Sequence, residues 1–233
     1  MTEDILQKIK DASLNKALEI VTQLFPGQVV FSSSLGQEDQ VITDAIFRNN
    51  LPIKIFTLDT GRLFNETYEL FEKTMARYNK NIYVYFPDYS DVESFVNKKG
   101  INSFYESVDN RKECCYIRKV KPLNRALQGA KVWITGLRSE QSENRRGMHI
   151  IEWLEEKQLY KFNPLIDWSY PQVLDYINEF NVPYNTLHDK GFISIGCAPC
   201  TRAIEPDEDP RAGRWWWEAS HKECGIHQNV LSE

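Results

Sequence analysis

Short apolar runs alternate with helical segments along residues 28–87, and this alternation limits the chain to a small set of folds. The apolar runs are QVVFSSS, IKIFTLDTG and NIYVYFP, and LGQEDQVITDAIFRNN and LFNETYELFEKTMARYN separate them with apolar residues at helical spacing. Strands separated by helices of this length form a parallel sheet that is covered on both faces. We therefore predict an α/β fold with helices on both faces of a parallel sheet.

The rest of the chain extends this pattern less regularly. KVWITGLR predicts another strand, HIIEWLEEKQLYKFNPLIDW predicts short strands, and SYPQVLDYINEFNVP predicts a helix with Pro171 near its first turn. MTEDILQKIKDASLNKALEIV predicts an amphipathic N-terminal helix. The composition changes after Gly191, so we predict one domain over residues 1–204 and a mobile C-terminal tail over residues 205–233.

Charge and hydropathy exclude several classes of protein. No apolar run reaches the length of a membrane span, and the first residues lack a signal-peptide pattern, so we expect a cytoplasmic protein that does not bind membranes. The net charge is −5, which argues against a general nucleic-acid binder. Residues 111–146 nevertheless carry ten Lys or Arg against three Glu. This basic segment indicates either a local anionic ligand or a solvated helix face.

Five cysteines, in a clustered pattern, are the most informative residues: Cys114, Cys115, Cys197, Cys200 and Cys224. The CxxC pair can reach one metal centre, and the adjacent Cys114 and Cys115 supply two further thiolates. Four thiolates suit zinc or an iron–sulfur cluster, and the spacing alone does not decide between them. The alternative is four buried thiols with no metal. Cys224 is left over among charged residues and is a candidate nucleophile.

Two turns follow predicted strands and bear small polar residues. The first runs from Ser32 to Gly36 into a helix, and the second is LDTGR at residues 58–62. Ligands of open parallel sheets bind beyond the carboxyl ends of the strands, and a helix N-terminus there favours a phosphate. The two turns therefore outline a nucleotide site. The alternatives are a serine that caps the helix and an Asx-type turn.

Seven strings of the sequence closely resemble the assimilatory sulfonucleotide reductases, the family of phosphoadenylyl- and adenylyl-sulfate reductases. They are SSSLGQED, LDTGR, ECCYIRKVKPL, TGLRSEQSENRR, GCAPCTR, RAGRWWWE and KECGIH. The resemblance covers residues 28–228 and implies a Rossmann-like, adenine-nucleotide-binding sheet. Members with the Cys-Cys and CxxC pairs carry a [4Fe–4S] cluster and resemble adenylyl-sulfate (APS) reductases. The resemblance therefore implies that Cys114, Cys115, Cys197 and Cys200 are cluster ligands.

The resemblance also implies a reaction, the thioredoxin-dependent reduction of APS to sulfite and AMP in assimilatory sulfate reduction and cysteine biosynthesis. Cys224 is expected to attack the sulfur of APS and to carry an S-sulfocysteine, which thioredoxin then discharges as sulfite. The cluster is expected to act structurally and electrostatically, since thiol chemistry completes the reaction. The expected substrate-binding residues are Ser32, Ser34, Leu58, Thr60, Lys119, Arg138, Arg145, Arg211, Arg214 and His227. Trp215, Trp216 and Trp217 are expected to anchor the tail.

Three alternatives stay open on the sequence. The first is the same reaction on the 3′-phosphorylated substrate, phosphoadenylyl sulfate (PAPS). The second is a non-catalytic, zinc-bound module that binds adenine nucleotides. The third is an ATP-pyrophosphatase-type adenylating enzyme, but its SGGxD loop is replaced here by SSSLGQED. A homo-oligomer is compatible with every one of them.

Overall fold

The computed structural model describes residues 2–142, 145 and 147–218. Its strands are β1 (Val29–Ser32), β2 (Lys54–Leu58), β3 (Tyr83–Tyr85), β4 (Val132–Ile134), β5 (Ile151–Leu154) and β6 (Leu159–Phe162). Its helices are α1 (Thr2–Ile9), α2 (Leu14–Leu24), α3 (Gln37–Arg48), α4 (Asn65–Tyr78), α5 (Tyr89–Lys99), α6 (Val108–Cys115), α7 (Lys121–Ala126) and α8 (Tyr170–Glu179). A π-helical turn, Tyr116–Val120, joins α6 to α7.

The six strands form one sheet in the order β3-β2-β1-β4-β6-β5, and helices flank it. β1 pairs in parallel with β2 and β4, and places Phe31 opposite Ile55 on one side and Ile134 on the other. β4 pairs in parallel with β6, while β5 runs antiparallel at the edge. Central strands of a parallel sheet are buried on both faces, which explains their continuous apolar runs. The predicted α/β class is confirmed.

Two parts of the chain differ from the sequence predictions. The N-terminal segment forms two helices, because Ser13 ends the run and caps α2, where its hydroxyl accepts from the amide of Lys16 at 3.4 Å. Residues 89–126 hold three helices that the sequence did not reveal. Here α6 reads VDNRKECC and has no apolar stripe for a pattern search to detect.

The chain forms two compact units that interleave along the sequence. The sheet unit comprises the described residues of Met1–Thr57, Asn65–Tyr83 and Gly129–Thr186. The cysteine unit comprises Leu58–Phe64, Val84–Gln128 and the described residues from Leu187 onward. The predicted boundary between residues 204 and 205 stays a prediction. Within the described ranges, no helix is long and apolar enough to cross a membrane.

Candidate functional site

The turn after β1 lies in the sheet unit, and its serines make specific contacts. The Ser32 hydroxyl accepts from the indole nitrogen of Trp133 on the neighbouring strand, at 2.8 Å. The Ser33 hydroxyl accepts from the amide of Leu35, which has a left-handed φ of 62°. Gly36, not a serine, is the N-cap of α3, and no side chain among the described residues caps it. The first amides of α3 are therefore not satisfied by a serine cap.

Asp39 stabilises this turn, a role that the sequence does not predict. Its buried carboxylate accepts from both the amide and the hydroxyl of Ser34, at 2.5 and 2.6 Å. Burial raises the pKa of Asp39 to about 6, against the two bonds from Ser34. Gly136, after β4, is required because any side chain there would collide with the Asp39 carboxylate. Both donors of Ser34 are thus engaged by a carboxylate.

The two arginines predicted from TGLRSEQSENRR are both buried in the sheet unit. Arg138 donates from Nε to Glu38 at 2.9 Å and from Nη1 to Glu140 at 3.2 Å. Its guanidinium also lies 5.5 Å from the ring centroid of Tyr170. Arg145 donates to the side chain of Gln141. Arg138 therefore already has acidic partners in the structure.

Four cysteines line one cavity in the cysteine unit, which we call the cysteine cavity. Cys114 and Cys115 end α6, immediately before the π-helical turn, whereas Cys197 precedes a single helical turn that Cys200 ends. The other lining residues are Arg62, Phe104, Arg111, Arg118, Lys119 and Pro199. Two cysteine pairs that are some eighty residues apart in sequence are therefore brought to one cavity, which four cationic side chains also line. Among the described residues, no three His, Cys, Asp or Glu side chains are arranged around a single metal ion.

Cations and hydroxyls tune the thiols of this cavity. Burial opposes ionisation of Cys197, yet its pKa is lowered because nearby groups favour the thiolate. Those groups are Lys119, the Thr60 hydroxyl, Arg214 and Arg118. Burial raises the pKa of both Cys200 and Cys114, and the negative charge of the neighbouring Cys197 thiolate raises both pKa values further. The cavity therefore stabilises negative charge unequally among its sulfur atoms.

The loop after β2 is tied to both cysteine pairs. Thr60 Oγ1 lies 3.3 Å from Cys197 Sγ, and the Thr60 carbonyl accepts from Arg118 at 2.6 Å. The amide of Ala198 donates to the carbonyl of Arg62 at 2.8 Å. Leu58, the last residue of β2, is half-buried. The resemblance predicts Thr60 as a nucleotide contact, whereas its contact with a thiol cannot be predicted from sequence because residues 137 positions apart give no local signal.

The RAGR string packs beside the second cysteine pair. Arg214 is buried, pairs across a β-bridge with Thr201, and lies 4.7 Å from the ring centroid of Trp215. Gly196 has to be glycine, because a side chain there would collide with the Arg214 guanidinium. Arg211 is half-buried, and its amide donates to Asp209. The predicted nucleophile Cys224 and His227 lie outside the described residues.

Comparisons with known proteins agree with the motifs. The sequence matches the phosphoadenosine phosphosulfate reductase domain over residues 28–203. It is 51% identical over 202 residues to the adenosine 5'-phosphosulfate reductase of Agrobacterium fabrum, covering 86% of this chain and 78% of the relative. It is also 51% identical over 221 residues to the protein of the same name from Sinorhizobium fredii strain USDA 257, covering 94% and 88%.

Solved structures of two other proteins have a similar fold. The phosphoadenylyl-sulfate reductase of Candida auris, in a phosphate complex, superposes with a TM-score of 0.75 at 30% identity, and covers 86% of this chain and 96% of that one. The FMN adenylyltransferase of Candida glabrata, with FAD and pyrophosphate, gives a TM-score of 0.55 at 16% identity, and covers 96% and 76%. The second likeness concerns the fold alone.

Proposed function

This chain belongs to the phosphoadenosine phosphosulfate reductase domain family, as its motifs predict, and we propose that it reduces APS to sulfite and AMP in sulfate assimilation. Relatives that carry the name adenosine 5'-phosphosulfate reductase match most of its length at about half identity. The protein is accordingly an oxidoreductase that acts on APS. The cysteine cavity carries the finer proposals, because its residues account for a cofactor and for the charge of the substrate.

We propose that Cys114, Cys115, Cys197 and Cys200 hold a [4Fe–4S] cluster. Four thiolates are the usual ligand set of such a cluster, and these four side chains line one cavity. Three buried N–H groups beside the second pair, in Arg214, Trp215 and Trp217, have no partner among the residues the structure describes. Buried donors are normally satisfied, and a cluster offers them sulfur acceptors. The donor set therefore fits the group.

The bound cluster would supply a fixed centre of negative charge and a cross-link between two distant segments. The chain's own residues balance that charge through Lys119, Arg118 and Arg62, which line the same cavity. Lys119 follows Cys115 by four positions, and it favours the thiolate of Cys197. We propose that Lys119 also attracts the anionic sulfate of APS, as preorganised cations do where negative charge must be bound.

Cys224 is the proposed nucleophile. Its thiolate attacks the sulfur of the APS sulfate group, an S–S bond forms, and the S–O bond to the phosphate breaks, with the electron pair leaving on AMP. A thiolate of reduced thioredoxin then attacks the Cys224 sulfur and expels sulfite with an electron pair. The second thioredoxin thiol closes a disulfide, regenerates the Cys224 thiolate, and so supplies two electrons in total.

We also propose roles in substrate binding for the remaining predicted residues. Arg211, Arg214 and His227 are proposed to bind the sulfate and phosphate, with Arg138 and Arg145. The adenosine and α-phosphate are assigned to Ser32, Ser34, Leu58 and Thr60. Ser34 can donate to a phosphate only after it releases Asp39, and Arg138 has to share its charge with Glu38.

The experiment is an assay of protein purified without oxygen, with reduced thioredoxin and either APS or PAPS. We expect brown protein with about four iron and four sulfide per chain, and faster sulfite release from APS than from PAPS. Faster release from PAPS would overturn the substrate. Stoichiometric zinc with no acid-labile sulfide and no sulfite release would instead favour the zinc-bound nucleotide module.

A further inference from the structure

A buried ion pair joins the cysteine helix α6 to the last described residue. Arg111 donates from Nε and Nη2 to the two carboxylate oxygens of Glu218, at 2.9 and 2.8 Å. The two side chains are only 4% and 3% exposed. Burying two charges carries a large desolvation penalty, so this pair is weak evidence for a contribution to stability, and we ask instead what its geometry does. Its bidentate geometry fixes the relative position of the two segments it joins.

Each of the two segments is connected to a different cysteine pair of the cysteine cavity. Arg111 precedes Cys114 by one helical turn and itself lines the cavity. The amide of Glu218 donates to the carbonyl of Trp215 at 2.8 Å, and the amide of Trp215 donates to the carbonyl of Cys200 at 3.2 Å. The Arg111 guanidinium also lies 4.8 Å from the Trp215 ring centroid. Residues 215–218 are therefore attached to both cysteine pairs.

The attachment of residues 215–218 limits the positions that the proposed nucleophile, Cys224, can reach. Cys224 follows Glu218 by six residues, so even a fully extended chain places it within ~20 Å of that anchor. We propose that the Arg111–Glu218 pair is a positioning device that fixes the point from which the chain continues to Cys224, and thereby where Cys224 can attack. This inference rests on the proposed function for its kinetic consequence and on described contacts for the anchor itself.

The chain offers a matched control. Arg202 donates to both carboxylate oxygens of Glu208 at 2.9 Å, in the same unit, but that pair is roughly one-third exposed. Exposed ion pairs contribute little, whereas breaking a buried one leaves an uncompensated charge. Glu218→Gln and Glu208→Gln therefore make the same chemical change at two bidentate arginine–glutamate pairs, one buried and one partly exposed.

The first measurement is hydrogen exchange of the amides of residues 214–218, and it needs no turnover. We expect exchange to rise at least about tenfold in Glu218→Gln, because the anchor loses its ionic hold, and to change less than about twofold in Glu208→Gln. Equal exchange in both variants would overturn the anchor. This result holds whatever reaction the protein catalyses.

The second measurement is the single-turnover rate at which APS converts Cys224 to the S-sulfocysteine, divided by the iron-loaded fraction. We expect Glu218→Gln to slow this rate by at least about tenfold with AMP affinity unchanged, since a misplacement of ~1 Å can cost on the order of 100-fold. Glu208→Gln should react like wild type, and Glu218→Asp, which keeps the charge, should fall between.

Two results separate the possible failures. If activity falls in Glu218→Gln only in proportion to lost iron, so that the rate per iron-loaded chain is unchanged, the pair is merely structural and the proposal is wrong. If wild-type protein forms no S-sulfocysteine at all, the proposed function fails while the exchange measurement still decides the anchor.

Discussion

The sheet unit and the cysteine unit are stabilised by different interactions. The sheet unit has a continuous hydrophobic core with residues from α1 to α8, including Phe31, Ile42 and Ile134, all buried. Among the described residues, the buried members of the compact core around the cysteines are Phe104, Cys197, Cys200 and Trp215. Ionic and cation–π contacts surround it, such as those of Arg111 and Arg214. The sheet unit therefore depends on hydrophobic burial, whereas the surroundings of the cysteines depend also on satisfying buried charge and thiols.

The largest expected effect is that of removing one thiol. Cys197→Ser should abolish iron binding and sulfite formation, because a hydroxyl is a poor ligand for a cluster that takes four thiolates. Hydrogen exchange should then rise across residues 84–128 and 187–218, while β1 and β4 keep their protection. Retained iron, or an equal loss of protection in both units, would contradict the claim that the four cysteines bind iron and stabilise only the cysteine unit.

A core truncation tests the sheet unit in the same way. Ile134→Ala, in the centre of β4, should lower the free energy of unfolding by about 2–5 kcal/mol in urea titrations. Iron per folded chain should stay at the wild-type level. Ile101→Ala is the control, because Ile101 is 61% exposed and its truncation should cost less than about 0.5 kcal/mol. A selective loss of iron in Ile134→Ala would contradict the assignment.

Asp39 makes the sheet unit sensitive to pH. Its folded pKa of about 6 lies above the ordinary value of 3.8, so the folded state binds the proton more tightly. Below pH 3.8 the carboxyl is protonated in both the folded and the unfolded state, so its burial does not lower the free energy of unfolding through ionisation. Between pH 3.8 and 6 stability falls, and above pH 6 the full cost of about 3 kcal/mol is present.

Asp39→Asn removes this cost but keeps an oxygen that accepts from Ser34. The unfolding free energy of wild type minus that of Asp39→Asn should therefore decrease as pH rises from 4 to 6, and then stay level. Urea titrations at several pH values measure this difference. A difference that is flat or that increases with pH would show that burial does not raise the pKa of Asp39.

A smaller effect is expected from one cation of the cysteine unit. Lys119→Ala should lower kcat/KM for APS by roughly ten- to a hundredfold, because one charge-assisted contact is worth about 1.5–3 kcal/mol. Lys121→Ala is the control, since Lys121 is 40% exposed and pairs with Asp91 at 2.8 Å. Steady-state kinetics should change less than about twofold in the control. Equal losses in both variants would remove the specific role of Lys119.

The same contrast explains how much the sequence predicts. Strands β1, β2 and β4 were predicted because continuous apolar runs report burial on both faces. The helices of residues 89–126 were not predicted: α6 has no apolar stripe, whereas α5 and α7 are short and bury only a few apolar residues each, such as Phe95 and Leu123. The resemblance predicted the four cysteines as one set, and the structure places them around one cavity.

The contacts between distant residues could not be read from spacing. Arg111 and Glu218 are 107 positions apart, and Arg118 and Thr60 are 58 apart, so no local pattern links them. Asp39 was visible only as an acid in the first turn of a helix, where acids are common. Its hydrogen bond with Ser34 requires that Gly136 lie close to the Asp39 carboxylate, and this proximity is visible only in the folded sheet.

The most direct test of the central claim follows the sulfur atom. Anaerobic wild-type protein incubated with APS and no thioredoxin should release AMP in one burst of about one per chain, and mass spectrometry should find an adduct of about 80 Da, the mass of SO₃, on the peptide with Cys224. Reduced thioredoxin should discharge it as sulfite. Cys224→Ser should keep its iron and form no adduct. An adduct on Cys114, Cys115, Cys197 or Cys200, or turnover by the serine variant, would contradict the account.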